Sequence, residues 1–199
     1  MTDRPQINTR NLLSYGILAF PISFAGIPIY IHSPDFYATQ TELTLATIGF
    51  VLLILRAVDA VQDPFIGYFS DKYFQHRKII FLIGSFCLGG GFFMLFNPLE
   101  GLVLVWFVLG VFFSTLGFSI LSINLNTIGG VWSKDYHTKT KIAGFREALG
   151  LIGLVLAAAL PSVLKANFEV EQAFQNYAII LLVILLVSAF IFFRWYAKF

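Results

Sequence analysis

An apolar run from about Leu43 to Phe69 contains three charged residues near its middle. The run is long enough to cross a bilayer as a helix, which takes roughly 20 residues. Arg56, Asp59 and Asp63 are spaced i, i+3 and i+7, so a helix presents all three on one face. Each charge costs roughly 2.5–3.5 kcal/mol at the bilayer centre. The pattern therefore indicates a face turned towards water or protein, as in a pathway for an ion or a solute.

A structural ion pair between Arg56 and Asp59 is the alternative interpretation of this face. That pair leaves Asp63 without a counter-charge, because one guanidinium cannot neutralise two carboxylates. The face then carries a net charge of −1 when both acids are ionised. We expect a cation to complete it, which could be a proton, Na⁺ or a basic side chain from another helix.

Composition places the chain in a membrane. Of its 199 residues 58% are hydrophobic and only 12% are charged, whereas soluble domains carry about 25% charged residues. The single Cys87 excludes a disulfide framework and a cysteine-based metal site. His32, His76 and His137 lie far apart near the expected membrane edges, so a histidine metal site is not expected either.

Six apolar segments predict an all-α membrane protein with six transmembrane helices. They run over residues 12–31, 43–69, 79–96, 102–131, 142–164 and 177–193. We interpret residues 1–199 as a single six-helix transmembrane domain. The two triplets of segments have similar lengths, which would fit a 3+3 inverted repeat.

Basic residues are distributed unevenly between the predicted loops. Six spans put both termini on one side of the membrane, and ten basic residues fall on that side: Arg4, Arg10, Lys72, Arg77, Lys78, Lys134, Lys139, Lys141, Arg194 and Lys198. The opposite loops hold only Lys165. The positive-inside rule therefore predicts cytoplasmic termini, and we expect a bacterial inner (plasma) membrane protein.

The end of the second segment indicates a conformational latch. Gly67 precedes Asp71 by four residues, and Lys72 and Arg77 follow in a basic loop. The glycine would let a neighbouring helix approach, and the carboxylate would pair with a basic residue or with a helix N-terminus. Ordinary topology charge is the alternative explanation for the two basic residues.

Polar residues in three other segments are candidate solute ligands. The fourth segment carries a polar patch that includes Asn124 and Asn126, which face different directions, so at most one should line a shared cavity. A hydrogen bond between helices is the alternative role for either asparagine. In the fifth segment Arg146 either snorkels to the cytoplasm or reaches the interior, where its guanidinium could bind a hydroxylated or anionic ligand or a carboxylate of the second segment. The adjacent Glu147 should point about 100° away.

Two blocks of this sequence resemble a known family. The run Arg56-x-x-Asp59-x-x-x-Asp63-Pro64-x-x-Gly67-x-x-x-Asp71 is similar to helix 2 of the glycoside–pentoside–hexuronide:cation symporters, the melibiose-permease-like branch of the major facilitator superfamily. The block from Ser133 to Glu147 resembles the loop 4–5 region of that family and its helix-5 arginine.

The resemblance implies roles for individual residues. It implies a cation site on Asp59 and Asp63 with Gln62 as a polar neighbour, and Na⁺ bound by the two acids if the coupling ion is sodium. We expect Arg56 to balance part of the charge of the two acids. The resemblance also implies a substrate site around Arg146. The helix-1 and helix-4 acids of the best-known sugar-binding members are absent here, and those helices offer Ser23, Tyr30, Asn124 and Asn126.

The expected function is symport of a sugar or sugar-like solute with Na⁺ or H⁺, without any other cofactor. Members of the family have twelve helices, so this chain resembles the N-terminal six-helix half, with the C-terminal half absent. The second half would belong to the same polypeptide if this chain is truncated, and otherwise to a homo- or heterodimer. A half that transports nothing alone is therefore the alternative. Enzymatic and phosphate-binding motifs are missing, and no nucleic-acid partner is expected.

Overall fold

The structure is a computed structural model that describes residues 7–198. Six helices are long and apolar enough to cross a membrane: α1 Thr9–Gln40, α2 Leu45–Lys72, α3 Phe74–Leu95, α4 Val103–Trp132, α5 Tyr136–Lys165 and α6 Val170–Tyr196. The described residues contain helices and no strand. The all-α prediction with six spanning helices is confirmed. Arg4, one of the basic residues used to orient the chain, lies outside the described residues.

Helix α1 is interrupted twice, at places that its prolines explain. Pro21 has no N–H to donate to the Ile17 carbonyl, and the amide of Phe20 donates to that oxygen instead at 3.2 Å. The second interruption is a π turn over Pro28–His32, in which the Ser33 amide donates to the Pro28 carbonyl. A π turn rotates the residues that follow it relative to those before it. Tyr30 lies inside this turn.

Helices α3 and α4 pack backbone against backbone because glycines leave room for the approach. A Cβ built on Gly91 would lie 2.4 Å from the Ser114 amide nitrogen, and one on Gly117 would lie 2.2 Å from the Leu88 nitrogen. Such distances are far below van der Waals contact. Small residues at helix crossings allow this kind of close packing in membranes, where dispersion contacts drive helix association.

Helices α1 and α5 form a second close pair. A Cβ on Gly153 would lie 2.3 Å from the Phe20 carbonyl oxygen, and one on Gly16 would lie 3.4 Å from Cα of Arg146. Tyr15, beside Gly16, is fully buried and donates to the Leu125 carbonyl of α4 at 2.9 Å. These contacts fix the start of α5, and with it the depth of Arg146, against α1 and α4.

Helix α2 is the least buried of the six. Only 17% of its most apolar 18-residue window is buried, compared with 28–61% for the other spans. Its four buried residues are Ile48, Leu55, Asp59 and Ser70. Two of these four are polar or charged, so the face that α2 turns inwards is not a purely apolar packing face.

Candidate solute and cation site

A cavity of about 450 Å³ lies between α1, α2 and α4 and contains all three charged residues of the α2 stripe. We call it the acidic cavity. It is lined by Gly26, Ile29, Tyr30, Arg56, Asp59, Ala60, Asp63, Thr115, Phe118 and Ser119. Asp59 lies at the midpoint of α2, so the cavity lies near the middle of the helical bundle. The spacing of Arg56, Asp59 and Asp63 thus corresponds to one shared cavity.

Arg56 reaches Asp59 through a tyrosine. Its NH1 donates to the Tyr30 hydroxyl at 2.8 Å, and that hydroxyl donates to Oδ2 of Asp59 at 3.3 Å. The guanidinium also lies over the Tyr30 ring, 4.7 Å from its centroid. No ion pair joins Arg56 to Asp59 or Asp63 among the residues that the structure describes. The alternative, a direct ion pair between Arg56 and Asp59, is therefore absent from this conformation.

Asp63 has an unsatisfied oxygen. Its Oδ1 is buried and has no hydrogen-bond partner among residues 7–198. A buried carboxylate oxygen without a donor is costly unless a proton or a cation binds it. Since Asp63 lines the acidic cavity beside Asp59, the cavity offers two carboxylates to a cation and carries one compensating arginine.

Other oxygen donors could complete a cation site there. Thr115 and Ala60 line the same cavity, and hard cations prefer oxygen ligands such as hydroxyls and backbone carbonyls. Pro64 has no N–H, so the Ala60 carbonyl lacks its usual i+4 donor. Within residues 7–198 no group of three or more His, Cys, Asp or Glu residues is placed to hold a metal, so a cation at the two acids would depend on these neutral oxygens.

Gln62 is beside Asp59 but outside the acidic cavity. Its Nε2 donates to Asp59 Oδ1 at 2.9 Å. Both oxygens of Asp59 therefore accept a hydrogen bond, from Gln62 and from Tyr30. This arrangement stabilises the ionised form of Asp59. In this conformation Gln62 orients the acid through its amide N–H group.

A second, smaller cavity of about 130 Å³ surrounds Arg146, and we call it the Arg146 cavity. Its polar lining consists of Ser23, Ser122, Asn126, Arg146 and Glu147. NH1 of Arg146 donates to the Asn126 carboxamide oxygen, and Nε and NH2 donate to Glu147. Phe118 lines both cavities.

Two expectations for this region need correction. Glu147 does not point away from Arg146, because the two side chains fold towards each other and form an ion pair. Asn124 lines neither cavity: it is fully buried, and its Nδ2 donates to Ser70 of α2 at 2.9 Å and to the Ile120 carbonyl at 2.8 Å. Asn124 therefore joins α2 to α4, and Asn126 is the asparagine that faces a cavity.

The predicted latch residues are only partly brought together. Arg77 NH2 contacts Asp71 Oδ1 at 3.1 Å, with the guanidinium buried over Phe74. Lys72 takes no part in this pair and lies over the rings of Tyr68 and Tyr73. Around Gly67 a Cβ would meet nothing within 4 Å in the described part of the chain. Close helix approach at Gly67 is therefore absent from this structure.

Sequence reasoning did not single out Thr115, although it lines the acidic cavity. A helical spacing could have revealed it. Thr115, Ser119, Ser122 and Asn126 follow one another at i, i+4, i+7 and i+11, which places them on one face of α4. Over these residues the polar stripe extends about 16 Å along α4, at about 1.5 Å per residue. It connects the acidic cavity with the Arg146 cavity.

Comparison with known protein families identifies the chain. The sequence model of one family, described as MFS/sugar transport protein, matches residues 12–198. That match covers α2 to α6 completely, α1 from residue 12 onwards, and every residue of both cavities. The chain is therefore an integral membrane protein that belongs to the MFS/sugar transport protein family.

Proposed function

We propose that this chain carries the cation-coupling half of a symporter that moves a sugar or sugar-like solute together with Na⁺ or H⁺. The observation that carries the proposal is the pair of acids in the acidic cavity, with a buried, unpartnered oxygen on Asp63 and with Arg56 engaged by Tyr30. Family membership supports a transporter, and the resemblance of the α2 run to glycoside–pentoside–hexuronide:cation symporters supports the coupling ion.

The proposed mechanism follows from the charge in the cavity. Without a bound cation, Asp59, Asp63 and Arg56 sum to −1, and closing a low-dielectric site over an uncompensated charge is unfavourable. A cation on Asp63 and Asp59 removes that charge. Closure around the solute then costs less, so cation and solute move together as two halves rock around a midplane site.

The solute is proposed to bind along the polar stripe of α4, between the acidic cavity and the Arg146 cavity. Tyr30, Ser23, Asn126 and Arg146 line these cavities. Arg146 is already paired with Glu147, so the two together add no net charge. This arrangement favours an uncharged, hydroxylated solute, whose hydroxyls can both donate and accept hydrogen bonds.

A second six-helix half is proposed to cover the open side of α2. Large apolar side chains of α2 are more than half exposed there, among them Phe50, Leu53 and Val61. The half could be part of the same polypeptide or a separate subunit, with the termini on the cytoplasmic side of a bacterial inner membrane. Asp71 and Arg77 would then form part of a latch at that side. The intact mass of the native polypeptide separates the two arrangements: a mass near twice 22.3 kDa indicates one polypeptide.

The decisive experiment is uptake by the purified native protein in proteoliposomes, with labelled mono- and disaccharides and with either a Na⁺ or a proton gradient. Asp63→Asn keeps the shape of the side chain and removes its charge, so it should abolish the cation dependence of uptake. Glu169→Gln, at an exposed position beside the start of α6, is the matched control and should keep it. Full cation dependence in Asp63→Asn would refute the cation site.

A further inference from the structure

A groove separates α2 from α3 on a face of α2 that adjoins the face lining the acidic cavity. It has a volume of about 410 Å³ and is lined mainly by apolar side chains, including Phe65 and Phe69 of α2, Ile79 and Ile83 of α3, and Ile120 of α4. We call it the α2–α3 groove. Ile83 is 51% exposed and Phe69 is 52% exposed, so the groove opens laterally and apolar material from the bilayer can enter it.

One end of the groove is basic. His76 and Tyr73 line that end, and the Lys72 ammonium lies 5.8 Å from the centroid of the Tyr73 ring. Lys78, next to the groove residue Ile79, is exposed. In the described segment 64–99 the one carboxylate is Asp71, and it is paired with Arg77. Lys72 and Lys78 therefore leave two positive charges on the segment that borders this end.

The length of the groove matches one leaflet of a bilayer. Its residues along α2 and at the C-cap of that helix run from Gln62 to Tyr73, which corresponds to about 16 Å at about 1.5 Å per residue. A bilayer has a hydrocarbon core of about 30 Å, so the groove extends from the basic membrane edge to about the midplane. An acyl chain from a single leaflet fits these dimensions.

We propose that the α2–α3 groove binds an acyl chain of an anionic phospholipid whose phosphate contacts Lys72, Lys78 and His76. The apolar walls bury the chain, and the uncompensated lysines bind the headgroup. Basic pockets between helices on the cytoplasmic side of membrane proteins recognise anionic lipid headgroups in this way. An apolar protein helix over the groove would leave these lysines without an anionic partner, whereas an anionic headgroup supplies one.

The inner end of the groove touches the proposed coupling site. Gln62 lines the groove, and the same side chain donates to Asp59 Oδ1 at 2.9 Å. A bound acyl chain restricts Gln62 to the orientation that contacts Asp59. The lipid would therefore stabilise the arrangement of Asp59 from the outside of the bundle.

Native mass spectrometry of the delipidated native protein tests the proposal. Phosphatidylglycerol and phosphatidylcholine with identical acyl chains are added in turn, and the fraction of protein with one retained lipid is measured. Phosphatidylglycerol should be retained several-fold better. Lys78→Gln should lower that preference about fivefold, because a single basic residue near an anionic lipid contributes approximately that much. Lys139→Gln, exposed at the same end of the bundle, should leave it unchanged.

Two substitutions at adjacent positions of α3 test whether the lipid binds in the groove. Ile83→Trp fills the groove, whereas Leu82→Trp places a tryptophan one residue earlier on α3, where the side chain does not line the groove. The two positions are similarly exposed, Leu82 at 56% and Ile83 at 51%. Only Ile83→Trp should lower lipid retention. Equal retention of the two lipids by the unmodified protein would overturn the headgroup assignment. Equal effects of the two tryptophans would overturn the groove, and would favour a protein helix as its cover.

Discussion

The Tyr30 hydroxyl lies 3.3 Å from Oδ2 of Asp59 and is the atom through which Arg56 reaches that carboxylate. Helix α1 thereby provides the hydroxyl that bridges two charged residues of α2. The π turn over Pro28–His32 carries Tyr30, and π turns in α-helices occur frequently at functional sites. The link between Arg56 and Asp59 thus depends on a residue of another helix, through hydrogen bonds that a change in helix packing can break.

Tyr30→Phe should tighten binding of the coupling cation. The hydroxyl donates to Asp59 and so stabilises the carboxylate without a cation. A hydrogen bond to a charged group contributes about 1.5–3 kcal/mol, so its loss should lower the apparent Kd for the cation by about tenfold or more. Binding of ²²Na⁺ to the purified protein measures this if sodium is the coupling ion, and the pH dependence of uptake measures it if the proton is.

Tyr68→Phe is the matched control for this prediction, because Tyr68 is 62% exposed and lies outside the acidic cavity. Its cation affinity should equal that of the unmodified protein. Weaker cation binding in Tyr30→Phe would contradict the assigned role, and would show that the hydroxyl is itself a ligand of the cation.

Asn124 and Asn126 should have opposite effects when each is replaced by leucine. Asn124→Leu removes the bond to Ser70, which is only 2% exposed and would lose its partner. The free energy of unfolding should fall by about 1–3 kcal/mol, with little change in apparent solute affinity. Asn126→Leu removes an acceptor of Arg146 at an exposed position. It should weaken solute uptake and leave stability nearly unchanged.

Thermal unfolding in detergent and concentration-dependent uptake separate these two effects. If Asn124→Leu weakened solute affinity while stability was unchanged, Asn124 would have to face the solute in another conformation of the protein.

Gly91→Ala should destabilise the bundle, whereas Gly90→Ala should not. The added Cβ at Gly91 meets the Ser114 backbone at 2.4 Å, and at Gly90 it meets nothing within 4 Å. Overpacking of this kind costs about 1–3 kcal/mol. At Gly90 alanine instead improves helix propensity. The difference between the two midpoints of thermal unfolding measures the effect, and equal midpoints would mean that α3 and α4 do not pack backbone to backbone.

Asp135 should make stability depend on acid pH. It caps the N-terminus of α5, where its Oδ2 accepts from the Thr138 amide at 2.8 Å and from the Thr138 hydroxyl at 2.7 Å. These hydrogen bonds lower the pKa of Asp135. Because the folded-state pKa is below the unfolded value of about 3.9, the stabilisation is present above that pH and is lost as the pH falls through the folded-state pKa.

Asp135→Asn keeps a capping oxygen and cannot titrate in this range. The midpoint temperature of thermal unfolding of Asp135→Asn should fall less than that of the unmodified protein as the pH decreases from about 5 to 3. Identical pH profiles for the two proteins would show that the cap does not contribute to acid sensitivity.

Sequence alone determined the elements that depend on local chemistry and on hydropathy. Long apolar runs predicted six helices because backbone groups in a bilayer must be satisfied within a helix. The i, i+3, i+7 spacing placed Arg56, Asp59 and Asp63 on one face because helical periodicity is a local property. The same periodicity would have identified Thr115, had the α4 spacing been followed from Asn126 towards the start of the helix.

Tertiary structure decided which of these residues meet. No local rule shows that Tyr30 bridges Arg56 and Asp59, or that Asn124 bonds to Ser70 while Asn126 faces a cavity. These pairings depend on how α1 and α4 rotate against α2. That rotation is set by the glycine contacts between helices and by the π turn of α1. The π turn rotates the side chains that follow it relative to those that precede it.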